Sequence, residues 1–323
     1  MMVNRRTFMM VTGGAFLTST LPSLAGSTQI IGGSAFGSWW RASLPPTSDT
    51  REVWAAITEV IETIEASMSP YKASSELSLL NRSLDGQWIP LSDSIGQVIS
   101  ESLRIARLTD GAFDPTVGPL VRRYGFGPIS GAVAVDYRSM VLGEQGIRKS
   151  MSKATLDLCG IAKGYAIDRM ALVLEALGIR SFLLEAGGEV LARGRHPDGR
   201  SWQVGIETPG LAVPALRCIV RLEGMVLATS GNAINGGTET NVAFSHIIDS
   251  RTARPVANNV ASVSVIAETG LQADALATAL VVMGAESGLE LAEKLNLAVF
   301  FQLREGPRIF ETMSEGFAQY MVA

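Results

Sequence analysis

The chain has 323 residues, 47% apolar and 18% charged, with 33 glycines. That balance fits one large or two interlocked globular domains and excludes a disordered, collagen-like or coiled-coil chain. A net charge of −4 offers no basic stripe, which argues against nucleic acid as a partner.

Arg5 and Arg6 precede an apolar run, residues 8–24, that ends at Ser23-Leu24-Ala25. This is the layout of a cleavable secretion signal, and the paired arginines point to the twin-arginine route. The run is short, carries Thr, Ser and Gly, and is broken by Pro22, so a stable membrane span is not expected. Residues 1–25 are therefore read as a twin-arginine signal peptide and 26–323 as the exported, periplasmic domain. Cys159 and Cys218 are the two cysteines. They are expected to be free, buried thiols, with a disulfide as the less favoured alternative.

In chain order, residues 49–68 read as a helix capped by Asp49, with Glu52 three residues on. Val53, Ile57, Val60, Ile61 and Ile64 form its apolar stripe. A loop and a short helix follow over 67–78, then a helix over 92–108 with Ile95, Ile99, Leu103 and Ala106 inward. The Gly/Pro-rich stretch 111–128 is expected to be an ordered functional loop or a turn-rich helix. Residues 161–177 have helical period, and Gly178 stops them. Strands are expected at 182–185, 202–206, 218–222 and 260–266, with hairpin turns at Gly187-Gly188 and Pro197-Asp198-Gly199. The polar stretch 231–240 is expected to be mobile. Helices over 273–283 and 287–295 lead to a last strand over 298–303. The strands come in runs, without strict alternation with helices, which makes the class α+β, with no internal repeat and no linker between domains.

Three groups of residues carry chemical interest. Asp157, Gly160, Lys163 and Gly164 stand at the start of a helix, where free backbone N–H groups and small residues admit a bulky ligand. The alternative is that Asp157 only caps the helix and Lys163 is a surface residue. Asp274 and Thr278, four apart on a helix, place a carboxylate and a hydroxyl on one face, a hard-oxygen pair suited to Mg²⁺. Either could instead serve its own helix, but the small and apolar residues around Asp274 imply a buried carboxylate that needs a partner. His246, in Ser245-His246-Ile247-Ile248-Asp249, is either a structural histidine or a proton acceptor. No Ser-His-Asp triad, CxxC pair or Walker loop is present.

Six segments stand in one order: Met68-Ser69-Pro70-Tyr71 with SELSLLN (75–81), GAFDPTVGPLVRRYGFG (111–127), LDLCGIAKGYAID (156–168), ATSG (228–231), SHIID with RTARPV (245–256), and ADALATALVVMG (273–284). The series resembles the ApbE family, the FAD:protein FMN transferases, over residues 30–320. The exported form also resembles the NosX-type members associated with nitrous-oxide reductase systems. The resemblance implies an ApbE-like fold of largely antiparallel sheets packed by helices, with FAD bound as substrate and Mg²⁺ on its pyrophosphate. It further implies that a client protein's Thr or Ser hydroxyl attacks the FMN-side phosphorus and releases AMP. By position in the motifs, Asp274, Thr278 and the Gly160 carbonyl match metal ligands. Phe36, Tyr71, Ala112, Phe113, Asp114, Asp157, Lys163 and Ile248 match nucleotide contacts, and His246 matches the candidate base. Cys159, Ser250, Ala253 and the Gly/Asn stretch before His246 depart from the family pattern, which bears on client preference. A non-catalytic FAD-binding assembly factor and an FAD pyrophosphatase are the alternative outcomes.

Overall fold

The computed structural model describes residues 28–132, 135–209, 215–231, 234–236 and 243–322. The expected signal peptide and most of the stretch 231–240 lie outside the described residues. No helix among the described residues is long and apolar enough to cross a membrane.

One eight-stranded sheet organises the chain, and its spatial order follows chain order: β1 (Gln29–Ala35), β2 (Ser38–Leu44), β3 (Phe182–Ala186), β4 (Glu189–Arg193), β5 (Val226–Gly231), β6 (Val260–Ala267), β7 (Ala298–Glu305) and β8 (Arg308–Met313). Every neighbouring pair is antiparallel. The helices α1 (Thr50–Met68), α2 (Glu76–Arg82), α3 (Asp93–Leu108), α4 (Gly118–Arg123) and α5 (Ala162–Ala176) enter between β2 and β3. The helices α6 (Gly270–Met283) and α7 (Ala285–Lys294) join β6 to β7, and α8 (Glu315–Ala318) follows β8. The α+β class and the largely antiparallel sheets match the sequence reading. The β1–β2 hairpin and β4, β5 and β8 were not expected, because polar residues or glycine bound or break up their short apolar runs.

Alternation along the strands sorts two cores. On β4, Leu191 packs with Phe182, Leu184, Ile57 and Leu174 on the helical side. Val190 and Ala192 face the other way, onto Trp202, Val204, Val220 and Phe317. The two-stranded layer Trp202–Glu207 and Leu216–Leu222 covers that second face. Central β6 is therefore buried at all eight positions. Its serines are satisfied inside the sheet: Ser264 Oγ lies 2.8 Å from Thr229 Oγ1, and Ser262 Oγ accepts from Gln302 Nε2 at 3.1 Å.

Helix α6 is apolar nearly all round and sits under the sheet, as expected for a helix enclosed by its neighbours. It meets α5 at two glycines. A Cβ on Gly164 would lie 2.0 Å from the Gly270 carbonyl oxygen, and one on Gly270 would lie 2.4 Å from that of Gly164. At this separation each helix satisfies the other's first turn. Asp168 on α5 accepts from the N–H groups of Gly270 (2.7 Å) and Leu271 (3.0 Å), and Asp274 on α6 accepts from the N–H of Gly164 (2.9 Å). Carboxylates at helix N-termini are stabilised by the exposed donors and the helix dipole. A methyl group at the crossing must force the helices apart, so Gly164→Ala is expected to lower stability by ~3 kcal/mol in urea unfolding.

Candidate active site

Two tight turns and two helix starts meet at one end of the sheet. Phe36 (φ +52°) and Gly37 (φ +72°) form the two-residue turn between β1 and β2; Gly187 (φ +59°) and Gly188 (φ +105°) form that between β3 and β4. Positive φ at both central residues gives the turn whose twist matches antiparallel strands. A phenylalanine in that conformation is strained. Its ring packs against both apolar clusters of the helical side. The second turn bonds to β2 close to the first, with the Gly187 N–H donating to the Trp39 carbonyl at 3.0 Å.

Lys163, in the first turn of α5, runs alongside the second turn. Its ammonium donates to Glu189 Oε1 at 2.5 Å and lies 3.6 Å from Asp274 Oδ1. Burial alone would lower its pKa, but the carboxylates of Asp274 and Glu189 outweigh that and hold it above the ordinary lysine value. Asp274 is 3% exposed, and Gly164 and Lys163 are the partners its burial required. One turn along α6, Thr278 Oγ1 lies 3.1 Å from Ser230 Oγ at the end of β5. A Cβ built on Gly160 would stand 3.4 Å from that same hydroxyl and 3.3 Å from the Phe113 ring. The structure thus brings Gly160, Lys163, Asp274 and Thr278 together.

Asp157, Cys159 and Lys163 are hemmed in by protein yet keep access to solvent, as the walls of a cleft do. Burial raises the Asp157 carboxyl, and burial together with the Asp157 charge pushes the Cys159 thiol well up. Tyr71 is exposed, and its phenol is raised by partial burial and by the neighbouring Cys159 and Asp157. His246 is exposed and sits edge-on to Phe126, ring centroids 6.2 Å apart. Its segment continues into the hairpin Ile248–Asp249 and Arg254–Pro255, which docks through Ser250 Oγ on the Gly111 carbonyl (2.7 Å) and Tyr124 OH on that of Ala253 (3.2 Å).

The model of the ApbE family matches residues 36–301. The chain belongs to the ApbE family. It is 32% identical to the FAD:protein FMN transferase of Escherichia coli strain K12, covering 91% of this chain and 89% of that one. With the protein of the same name from Haemophilus influenzae it shares 33% identity over 80% of each chain. The structure of the flavin transferase ApbE from Vibrio cholerae superposes with a TM-score of 0.82 at 29% identity, covering 91% of this chain and all of that one.

Within this ApbE fold, several motif residues face inward. Asp114 is buried, and its carboxylate accepts from the Thr116 N–H (2.8 Å), the Thr116 hydroxyl (2.6 Å) and the Tyr137 N–H (3.1 Å). Burial raises its pKa, and these donors pull it back. Ala112, Phe113 and Ile248 are buried as well. Asp157 does not cap α5: the N-cap is Ile161 with no side-chain bond, and Asp157 instead accepts from the Cys159 N–H at 3.0 Å in the preceding turn. Both cysteines are free as expected, but Cys159, in the turn before α5, is exposed, and Cys218 is half-buried against the cluster of Trp202 and Phe317. Asp249 is gripped by Arg251 at 2.9 and 3.0 Å.

Two site residues were not singled out from sequence. Glu189 opens β4, and its partner Lys163 is 26 residues away. Asn81, the last residue of SELSLLN, accepts from the Leu156 N–H (2.7 Å) and donates to the Leu156 carbonyl (2.8 Å), holding the segment before Asp157 as a neighbouring strand would. Asn81→Ala removes both bonds and strands the partly buried backbone groups of Leu156. It is expected to lower stability by about 2 kcal/mol in thermal unfolding, with Asn81→Asp intermediate.

Proposed function

We propose that this chain is an Mg²⁺-dependent FAD:protein FMN transferase acting on a Thr or Ser of an exported client. The convergence of Lys163, Asp274, Thr278 and Gly160 beneath two tight turns carries the reading. Among the described residues no cluster of three or more His, Cys, Asp or Glu is placed to hold a metal. One carboxylate, one hydroxyl and a backbone carbonyl are nevertheless the sparse oxygen set that suits Mg²⁺, which keeps water and phosphate oxygens as its other ligands. Asp274 Oδ2 takes the Gly164 N–H, which leaves Oδ1 for the metal. Three acids, Asp157, Glu189 and Asp274, stand against one ammonium, so a dianionic pyrophosphate needs added positive charge to bind. Mg²⁺ supplies that charge when present.

The chain's own residues then position the substrate. Lys163 presents a fixed cation, Gly160 and Gly187 allow close approach of the nucleotide, and Tyr71 and Phe36 offer aromatic surface at the rim. The client hydroxyl forms a bond to the FMN-side phosphorus as the bond to the AMP phosphate breaks. The hydroxyl proton passes to His246, and AMP leaves with the bridging oxygen. Positioning and charge neutralisation account for most of such a displacement. Export by the twin-arginine route is supported by Arg5 and Arg6, and a client tied to a nitrous-oxide reductase system by the NosX-type resemblance.

Incubation with FAD, Mg²⁺ and an acceptor domain carrying a target Thr is expected to leave fluorescent flavin on the acceptor in a denaturing gel. Free FMN and AMP with a dark acceptor would make the chain a pyrophosphatase, and intact bound FAD would make it a carrier. Asp274→Ala is expected to lose on the order of 10²-fold or more of the transfer rate, and unchanged rates at low Mg²⁺ would remove it from the metal site. His246→Ala is expected to lower transfer ~10²-fold or more with FAD affinity retained, as checked by flavin fluorescence titration; lost FAD binding would make His246 structural.

A further inference from the structure

Glu189 enters that scheme only as a charge, yet it is the acid held closest to Lys163. Its side chain is 1% exposed, and its Oε2 has no hydrogen-bond partner. The Gly187-Gly188 turn delivers it beneath the lysine, since Glu189 pairs with Ala186 directly across that turn. The turn also leaves room for the lysine stem: a Cβ on Gly187 would lie 3.2 Å from Lys163 Cδ and 3.7 Å from Glu189 Oε2. The ammonium therefore has two carboxylates in reach and divides unequally between them, 2.5 Å from Glu189 and 3.6 Å from Asp274.

This inequality matters for Asp274. With Oδ2 committed to the Gly164 N–H, Oδ1 is the atom through which it can meet a cation. An ammonium hydrogen-bonded to Oδ1 would occupy that atom and repel a divalent ion beside it. A half-buried ammonium left without Glu189 would close on the nearest remaining carboxylate, because a charge partly withdrawn from water is drawn to the closest opposite charge.

Resting on the metal reading given above, we propose that Glu189 is a positioning residue that draws the Lys163 ammonium off Asp274 and keeps Oδ1 open to the divalent cation. The Lys163–Glu189 pair then acts as a unit, presenting a fixed positive charge to the pyrophosphate while denying it to the metal ligand. Acids that hold or orient metal-binding groups from behind characteristically change metal affinity by 10- to 100-fold when removed.

The test is a double-mutant cycle read by direct Mn²⁺ binding, using electron paramagnetic resonance on the full chain with FAD and no acceptor. Glu189→Gln is expected to weaken Mn²⁺ binding ~10-fold or more in the native background. In a Lys163→Met background the same change is expected to alter it by less than about threefold, since no ammonium remains to collapse onto Asp274. In transfer assays, excess Mg²⁺ is expected to restore the kcat of the Glu189→Gln protein, with the KM for FAD little changed. Equal losses in both backgrounds, or no loss in either, overturn the proposal. Asp274→Ala separates it from the metal reading: if that variant binds Mn²⁺ as the native chain does, the metal assignment falls and this proposal with it. If Asp274→Ala loses the ion while Glu189→Gln keeps it, the role of Glu189 falls alone. Should Glu189→Gln fail to fold, Glu189→Asp carries the same cycle, with a smaller loss expected.

Discussion

The crossing of α5 and α6 brings two backbones together where Gly164 meets Gly270, at a distance no side chain tolerates. That approach lets Asp274 reach the Gly164 N–H and Asp168 reach those of Gly270 and Leu271. The two carboxylates fasten the helices reciprocally, each closing donors that a helix start leaves open. The position of Asp274 follows from this packing, and Lys163, one residue before Gly164, is brought into its reach by the same contact. Charge-assisted bonds to buried carboxylates are among the stronger single contributions to local rigidity.

The sheet supplies the second half of the arrangement. Its strands succeed one another in chain order, so the two-residue turns β1–β2 and β3–β4 fall at the same end, where Gly187 bonds to Trp39 of β2. Each needs positive φ at both central positions, and glycine fills three of the four. The fourth is Phe36, where strain is tolerated because the ring gains contact with both clusters of the helical core. The second turn leaves space above Lys163 that a Cβ at Gly187 would reduce.

Acidic side chains near the site divide by environment. Asp114 is consumed by Thr116 and Tyr137, and Asp249 by Arg251. Asp157, Asp274 and Glu189 each keep an oxygen that the surrounding backbone does not claim. A carboxylate satisfied by its own loop shapes a site, whereas one with an unclaimed oxygen can act on what enters it. Of these, Glu189 and Asp274 are the two that face Lys163, at 2.5 and 3.6 Å.

Local pattern alone determined the capped helix at Asp49, the helical period before Gly178, the Gly187-Gly188 turn, and the shared face of Asp274 and Thr278. Each depends on residues within one or two turns of one another, where backbone geometry is nearly independent of the rest of the chain. Motif order also sufficed to place the chain in its family. The tertiary structure alone decided which carboxylates remain available, because Asp274 meets Gly164 across 110 residues and Asn81 meets Leu156 across 75. It also decided that β6 is covered on both faces, which alternating Ser and Val do not reveal. Partners that far apart in the chain leave no period to read: their distances are set by how closely helices and sheet pack, and that is a property of the whole core.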